Sequence, residues 1–385
     1  MSIPSSTHRT LSVFLVSLVI LLLLHCAFHA GSLRVPIQNV GDGAASAYQD
    51  KRPSSPAPSL GKLVSELYKP IKLPTTATNY TDPQGETYDN GGRTHWKKPM
   101  GHDIVIVDID TRIPKGENGV FNPDKMDWTA VQSWGPGLLS VAHMNHFLYA
   151  QIHGYDYKYW HAQKMEGHGD SWIKLHVIRE LLHKHRFVIF MDGDALIQHL
   201  QVPLEFLFNR WNISSGTSIA MPIDTQQIRD GEGNISLDSK GEVVLNAGVI
   251  MAQNLPHTHD MMRAWIECPT ELRYPGCGRW KDTWSHEQRV FSEYIRYDYN
   301  PNGNNIVKIP CTEANGFPGI VGREGVIDDC KGEFIRHFTL EKYVAKTSMS
   351  DGIMQTLAEL LQKNFAANHK QILVEEPPRA QSSKA

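Results

Sequence analysis

The chain of 385 residues lacks an excess of positive charge: 38 Lys and Arg stand against 41 Asp and Glu, for a net charge of −3. A basic stripe able to track a phosphate backbone is therefore missing, and nucleic acid is not expected as a partner. Cysteine is scarce, at five residues, and none are spaced as Cys-x-x-Cys, so no zinc site is expected. Internal repeats are absent too, which argues against solenoids and propellers. What remains is ordinary for a globular protein, with 41% hydrophobic and 21% charged residues. The 19 His residues exceed what a single site needs, and most are expected to serve packing or the surface.

One long apolar run breaks this pattern. Leu11–Leu24 is almost wholly apolar and continues through Cys26–Ala27–Phe28, with Arg9 before it and Arg34 after it. Its length lies near the lower limit of the ~17–25 residues that span a bilayer. We read residues 1–10 as a cytoplasmic tail and 11–28 as an uncleaved signal anchor of a single-pass type II protein; a signal peptide cleaved after Ser32 is the other reading. Either way the rest enters the secretory lumen. Glycosylation sequons at Asn79, Asn212 and Asn234 agree with that. Cys268, Cys277, Cys311 and Cys330 make an even lumenal count, for which sequential pairing is the simplest of three connectivities and free thiols the alternative.

Residues 29–98 are rich in Pro, Ser, Thr, Ala and Gly, as in Ser54–Ser55–Pro56–Ala57–Pro58–Ser59, and read as a flexible stem with a short helix at Leu60–Tyr68. Residues 374–385 read as a disordered tail. Between them, residues 99–373 alternate strand and helix patterns. Strands are expected at 104–107, 155–160, 187–191, 218–222 and 243–251. Helices are expected at 141–153, 170–183, 203–208, 256–266 and 285–295, the first ending at Gly154 and the second capped by Asp170. Such alternation predicts an α/β domain with a mainly parallel central sheet.

Chemistry concentrates where Phe187–Val188–Ile189–Phe190–Met191 meets Asp192–Gly193–Asp194. Two carboxylates at the end of a buried strand repel each other unless a cation lies between them. Hard divalent cations prefer such oxygens, and the strand ends of an α/β sheet are where ligands bind. A second pair, Asp108–Ile109–Asp110, also follows an apolar strand. It would suit a phosphohydrolase of the haloacid dehalogenase type, with Asp108 as nucleophile and Asp328–Asp329 as the late acidic pair. That pattern wants Thr or Val where Arg112 stands, so a solvated strand end is the expectation for Asp108 and Asp110.

The first pair has more company. Trp172 and Lys174 precede it, and Asn246–Ala247–Gly248–Val249, Trp284–Ser285–His286–Glu287–Gln288, His337 and Lys342 follow. Together with Tyr149–Ala150–Gln151–Ile152–His153–Gly154–Tyr155, this ordered set resembles glycosyltransferase family 34 over about residues 102–345. That family includes fungal α-galactosyl- and mannan α-mannosyltransferases and plant xyloglucan xylosyltransferases. The resemblance implies a GT-A type, Rossmann-like nucleotide-sugar-binding domain, a UDP- or GDP-sugar donor, a glycan acceptor, Mn²⁺, and transfer with retention of configuration.

Carried over position by position, the resemblance makes Asp192, Asp194 and His337 metal ligands. Lys342 becomes a diphosphate contact, and Lys174 and Gly248 become donor-site residues. Asn246, Glu287 and Gln288 become catalytic residues at the reacting sugars. His286 replaces an acid that plant members carry. Each residue also has a plainer role: a packed histidine beside Ile335 and Phe338 for His337, solvent-facing lysines for Lys174 and Lys342, sheet packing for Asn246 and Gly248, and an acidic helix start capped by Ser285 for Glu287. The expectation is a Golgi or endoplasmic reticulum membrane enzyme that transfers galactose or mannose. A lumenal phosphohydrolase and a non-catalytic subunit of a glycosyltransferase complex are the alternatives.

Overall fold

The structure, a computed structural model, describes residues 59–376. The expected tail and anchor at 1–28 lie outside the described residues, and no helix among those described is long and apolar enough to cross a membrane.

Strands buried on both faces need helices on both sides, and the sequence supplies them. In chain order the strands are β1 (Asn79–Thr81), β2 (Thr87–Asp89), β3 (Ile104–Asp110), β4 (Asp156–His161), β5 (Phe187–Met191), β6 (Ala195–Ile197), β7 (Ile219–Pro222), β8 (Ile228–Arg229), β9 (Gly233–Asn234), β10 (Val249–Gln253), β11 (Ile306–Ile309) and β12 (Ile335–His337). Six of them form the central sheet in the order β11-β7-β10-β5-β3-β4. Every neighbouring pair is parallel except those of β10, which runs antiparallel to both β5 and β7. This is the α/β architecture with a mainly parallel central sheet that the alternation predicts.

Side chains alternate across β5, as a period of two requires. Phe187, Ile189 and Met191 face a core that contains Tyr149 and Ile152 of the helix Gly135–His153. Val188 and Phe190 face a second core with Leu175 and Ile178 of the helix Ile173–Leu182 and Trp265 of the helix Pro256–Glu267. Gly154 ends the first helix in a left-handed conformation (φ 76°), with its N–H on the Ala150 carbonyl. Asp170 lies inside a short 3₁₀ turn, and its side chain makes no cap there.

Several expectations need correction. Residues 60–98 are not a loose stem. Tyr68, Tyr80, Tyr88 and Trp96 are buried in the main core, and β1 pairs with β2. These aromatic anchors outweigh a composition that reads as linker. The strand expected from Val243 starts only at Val249; before it the chain makes isolated bridges from Val243 and Leu245. The helix expected over 285–295 is a short α-helix, His286–Val290, followed by a π-helical turn, Phe291–Ile295. The long helix Ala345–Ala367 has no counterpart among the expected elements, because few of its residues are buried and its apolar stripe is weak.

Both disulfides are sequential: Cys268–Cys277 and Cys311–Cys330. The second ties the turn Cys311–Ala314 to the segment that leads into β12. Replacing both Cys311 and Cys330 by Ala should lower unfolding stability by about 3 kcal/mol, the loop-entropy value for a closure of this size. Urea denaturation checks this; an unchanged midpoint would show that the bridge adds nothing.

Candidate functional site

β5 stops at Met191 because the next residues turn. Asp192 N–H donates to the Gly248 carbonyl (2.7 Å), and Ala195 N–H donates back to the Asp192 carbonyl (2.9 Å). Gly193 sits at the corner, where any Cβ would strike Leu139. The chain then enters β6, which pairs antiparallel with β12 so that Ala195 lies opposite His337. This pairing carries a residue 143 positions away from Asp194 to its side.

His337 Nε2 lies 3.2 Å from Asp194 Oδ1 and 3.8 Å from Asp192 Oδ2. One ligand atom from each of the three residues falls within 4.8 Å of the others. The ring's orientation is fixed from behind. Asn315 Nδ2 donates to the Ile223 carbonyl (3.2 Å), so Asn315 Oδ1 faces His337 Nδ1 (3.2 Å) and accepts its proton. Nε2 is thereby the nitrogen left to bind a metal. Gly248 has a related reason: a Cβ there would overlap the His337 ring. Two carboxylates and an imidazole aimed at one point suit a divalent cation.

Protein charges also hold the carboxylates. Burial alone would raise the Asp194 carboxyl, but His337 and then Lys342 outweigh it and keep it well below the usual range. Lys342 Nζ is 2.8 Å from Asp194 Oδ2, and its side chain is 55% exposed, so the ammonium can follow a phosphate. Lys174 is buried rather than solvent-facing. Its Nζ lies 3.2 Å from both Asp192 Oδ1 and Glu287 Oε1 and donates to the Ala247 carbonyl (3.0 Å). Burial pulls its pKa down, and Asp192 and Glu287 more than restore it. The other oxygen of Glu287 accepts from the Ser171 hydroxyl. Both Glu287 oxygens are thus engaged by protein donors.

Asn246 and Gln288 converge on a residue that no sequence motif marks, Asp224. Asn246 Nδ2 donates to Asp224 Oδ1 (2.8 Å) and Gln288 Nε2 to Oδ2 (2.9 Å). The far ends of both amides accept backbone N–H groups, from Gly248 and Ala247 respectively. Asp224 has neutral donors, and burial raises its carboxyl. It follows the expected strand 218–222 by two residues, so the strand-end logic that found Asp192 applies to it equally.

These groups line a cavity of about 370 Å³ that also takes in Trp284 and His286. A second cavity of about 420 Å³ shares Ser171, Lys174 and Asp192 with it and continues past Asp110, Thr111 and Arg112. The other Asp-x-Asp is not a solvated strand end. Asp108 is 1% exposed and engaged by His143, His146 and Tyr157, while Asp110 is bound by Arg112 (2.7 Å). Asp328 accepts from Gln226, and Asp329 pairs with Lys331. No phosphohydrolase constellation forms from them.

Burial lowers the His337 pKa, but Asp194 and Asp192 outweigh it and leave it above the ordinary value. A metal must displace that proton. Metal affinity should therefore weaken as pH falls through and below this raised value. Asn315→Leu, which removes the acceptor for Nδ1–H, should cost about 10-fold to 100-fold in metal affinity. Metal titration by calorimetry at several pH values checks both; a flat pH profile would remove His337 from the ligand set.

The chain is similar to solved structures of a glycosyltransferase involved in glycosylation of the major capsid of PBCV-1 (12% identity, 64% of this chain and 98% of that one, TM-score 0.41) and of mouse xyloside xylosyltransferase 1 (10%, 63% and 98%, 0.34). A third is the glycosyltransferase GlyE of Streptococcus pneumoniae TIGR4 (11%, 73% and 66%, 0.34). No curated protein matches the chain. The sequence profile of the galactosyl transferase GMA12/MNN10 family matches residues 120–339, more than half of the chain and the stretch that holds Asp192, Asp194 and His337. The chain is a glycosyltransferase and belongs to this family, glycosyltransferase family 34.

Proposed function

We propose that this enzyme transfers a galactosyl or mannosyl group, with retention, from a UDP- or GDP-sugar to a glycan in the Golgi or endoplasmic reticulum lumen. The observation that carries the reading is the convergence of Asp192, Asp194 and His337 beside Lys342 in the lining of one cavity. Mn²⁺ is the favoured ion because it accepts both carboxylate oxygen and imidazole nitrogen. When bound, it neutralises charge on the departing nucleoside diphosphate.

The chain's own groups do the rest. Lys342 swings from Asp194 to the diphosphate and stabilises the leaving group. Lys174, pinned by Glu287, holds Asp192 in place. Glu287 therefore acts by positioning, in place of the catalytic role at the reacting sugars that the resemblance implied. Asp224, steadied by Asn246 and Gln288, presents negative charge where positive charge grows on the donor sugar. The cavity carboxylates are already held by protein donors, so front-side attack is favoured, with a leaving phosphate oxygen taking the acceptor's hydroxyl proton. The indole of Trp284, 70% exposed at the rim, offers a flat face for the acceptor sugar.

The lumenal location is supported by the apolar run Leu11–Leu24, by the two disulfides, and by exposed sequon residues Asn79 and Asn212. A type II anchor places the described domain on that side of the membrane.

The test incubates purified protein with Mn²⁺, an oligosaccharide acceptor set and a panel of nucleotide sugars, reading released nucleoside diphosphate and extended glycan. One galactose or mannose donor should be used, and Asp192→Ala/Asp194→Ala should reduce turnover by about 100-fold or more. Turnover retained in the double variant would sink the metal assignment, and no turnover with any donor would favour a non-catalytic subunit. Trp284→Ala should raise the acceptor KM by about 10-fold, the loss of roughly 1.4 kcal/mol of ring contact, and leave the donor KM unchanged. A donor KM that rises instead would place the indole at the donor.

A further inference from the structure

One conspicuous motif takes no part in that chemistry. Asp108 is buried with two histidines at the end of β3. Asp108 Oδ1 lies 2.9 Å from His146 Nδ1, and Oδ2 accepts from the Tyr157 hydroxyl (2.6 Å) with His143 Nδ1 at 3.1 Å. The side chains of Asp108 and His146 are 1% and 0% exposed. The second nitrogen of His146, Nε2, is 3.0 Å from the Ala195 carbonyl.

Donor and acceptor counting fixes which nitrogen of this histidine donates outward. A carbonyl oxygen only accepts. His146 Nε2, facing the Ala195 carbonyl, therefore carries a proton and donates it there. Asp108 Oδ1 engages the other nitrogen and fixes the ring's orientation, while Oδ2 accepts from Tyr157. Burial would raise the Asp108 carboxyl, yet His146 and His143 outweigh that and hold it well below the usual range. The pair is sealed from water.

Where the pair points matters more than its charge. Ala195 follows Asp194 directly, closes the Asp192 turn through its own N–H and lies opposite His337 across the β6–β12 ladder. Among the described residues, no strand pairs with the other side of β6. The helix Gly135–His153 supplies the partners instead. Asn145 brackets Ile197, accepting its N–H (2.8 Å) and donating to its carbonyl (3.0 Å). Further along the same helix, Tyr149 donates to the Val202 carbonyl and His153 Nε2 meets that of Leu200. One helix face thus stands in for a missing strand along 195–202. His146 is its member nearest the Asp192–Asp194 turn.

We propose that Asp108 and His146 are positioning residues for glycosyl transfer: their buried pair grips the Ala195 carbonyl and holds the Asp192–Asp194 turn in its ligand-presenting shape. This rests on the assignment of Asp192, Asp194 and His337 as the metal site. A charge-assisted hydrogen bond is stronger than a neutral one, and a metal's ligands depend on groups that orient them from behind. The network turns Asp108, an acid with no part in the chemistry, into a brace for the Asp192–Asp194 pair.

The experiment uses the full-length protein in detergent, with Mn²⁺ itself as the probe. Nitrogen-15 NMR of labelled histidines, assigned by comparison with His146→Gln, should show His146 Nε2 carrying a proton that exchanges slowly with solvent. In Asp108→Asn that signature should be lost. The apparent Mn²⁺ affinity, read by electron paramagnetic resonance, should fall about 10-fold to 100-fold while the acceptor KM stays unchanged. His146→Gln, which keeps a neutral donor to the Ala195 carbonyl, should lose less affinity than Asp108→Asn. It also serves as the measurement should Asp108→Asn not fold, a smaller but definite loss then being the expected result. A His146 Nε2 without a proton overturns the proposal, as does unchanged Mn²⁺ affinity in folded variants that have only lost thermal stability. If the wild type binds no Mn²⁺, the metal assignment has failed instead. The histidine signature and the Ala195 amide shift in Asp108→Asn then decide the pair's grip on the turn.

Discussion

The repulsion between Asp192 and Asp194 is the constraint around which the rest of this protein is arranged. Two carboxylates separated by a single glycine, at the end of a fully buried strand, cannot stand alone in a medium of low dielectric. Lys174, Lys342 and His337 each approach one or both of them, and they arrive from a helix, a 3₁₀ turn and a strand that are far apart in sequence. Each of those cations also has a second anchor or an open side. Lys174 is locked by Glu287, His337 is oriented by Asn315, and Lys342 is left half in solvent. The site thereby keeps a fixed part, which presents ligand atoms, and a movable charge, which can exchange a carboxylate for a phosphate.

The sheet explains why these groups meet. β5 ends where β10 begins, because the two run antiparallel and Val249 pairs with Met191. That geometry places Asp192 against Gly248 and sets Asn246 and Ala247 beside it. β7, on the far side of β10, brings Asp224 to the same end of the sheet. The cavity therefore has a cationic and carboxylate wall suited to a diphosphate and a wall of amides around one carboxylate suited to a sugar. Neither wall exists in any single segment of the chain.

Much of this was legible in the sequence where a local pattern carries it. The buried strand 187–191, the turn after it and the ordered set down to His337 pointed to the fold and to the residues that line the cavity. Three things were not legible, for physical reasons. Residues 60–98 look like linker by composition, yet Tyr68, Tyr80, Tyr88 and Trp96 pack into the main core. Asp224 carries no motif of its own; its role comes from amides contributed by β10's approach and by the helix His286–Val290. Asp108 looked like a solvated strand end, because nothing in sequence shows that His143 and His146, one helical turn apart, close over it. Pairings across long sequence separations decide these cases, and composition does not record them.

The central claim is that the Asp192–Asp194 turn and His337 together hold a divalent metal that receives the donor's diphosphate. Anomalous diffraction from crystals soaked with MnCl₂ and a nucleoside diphosphate tests it most directly. One manganese peak bonded to Asp192, Asp194, His337 Nε2 and the diphosphate oxygens is the predicted result. A nucleotide bound in the cavity with no manganese peak at those three side chains, or with the peak on other residues, would contradict it.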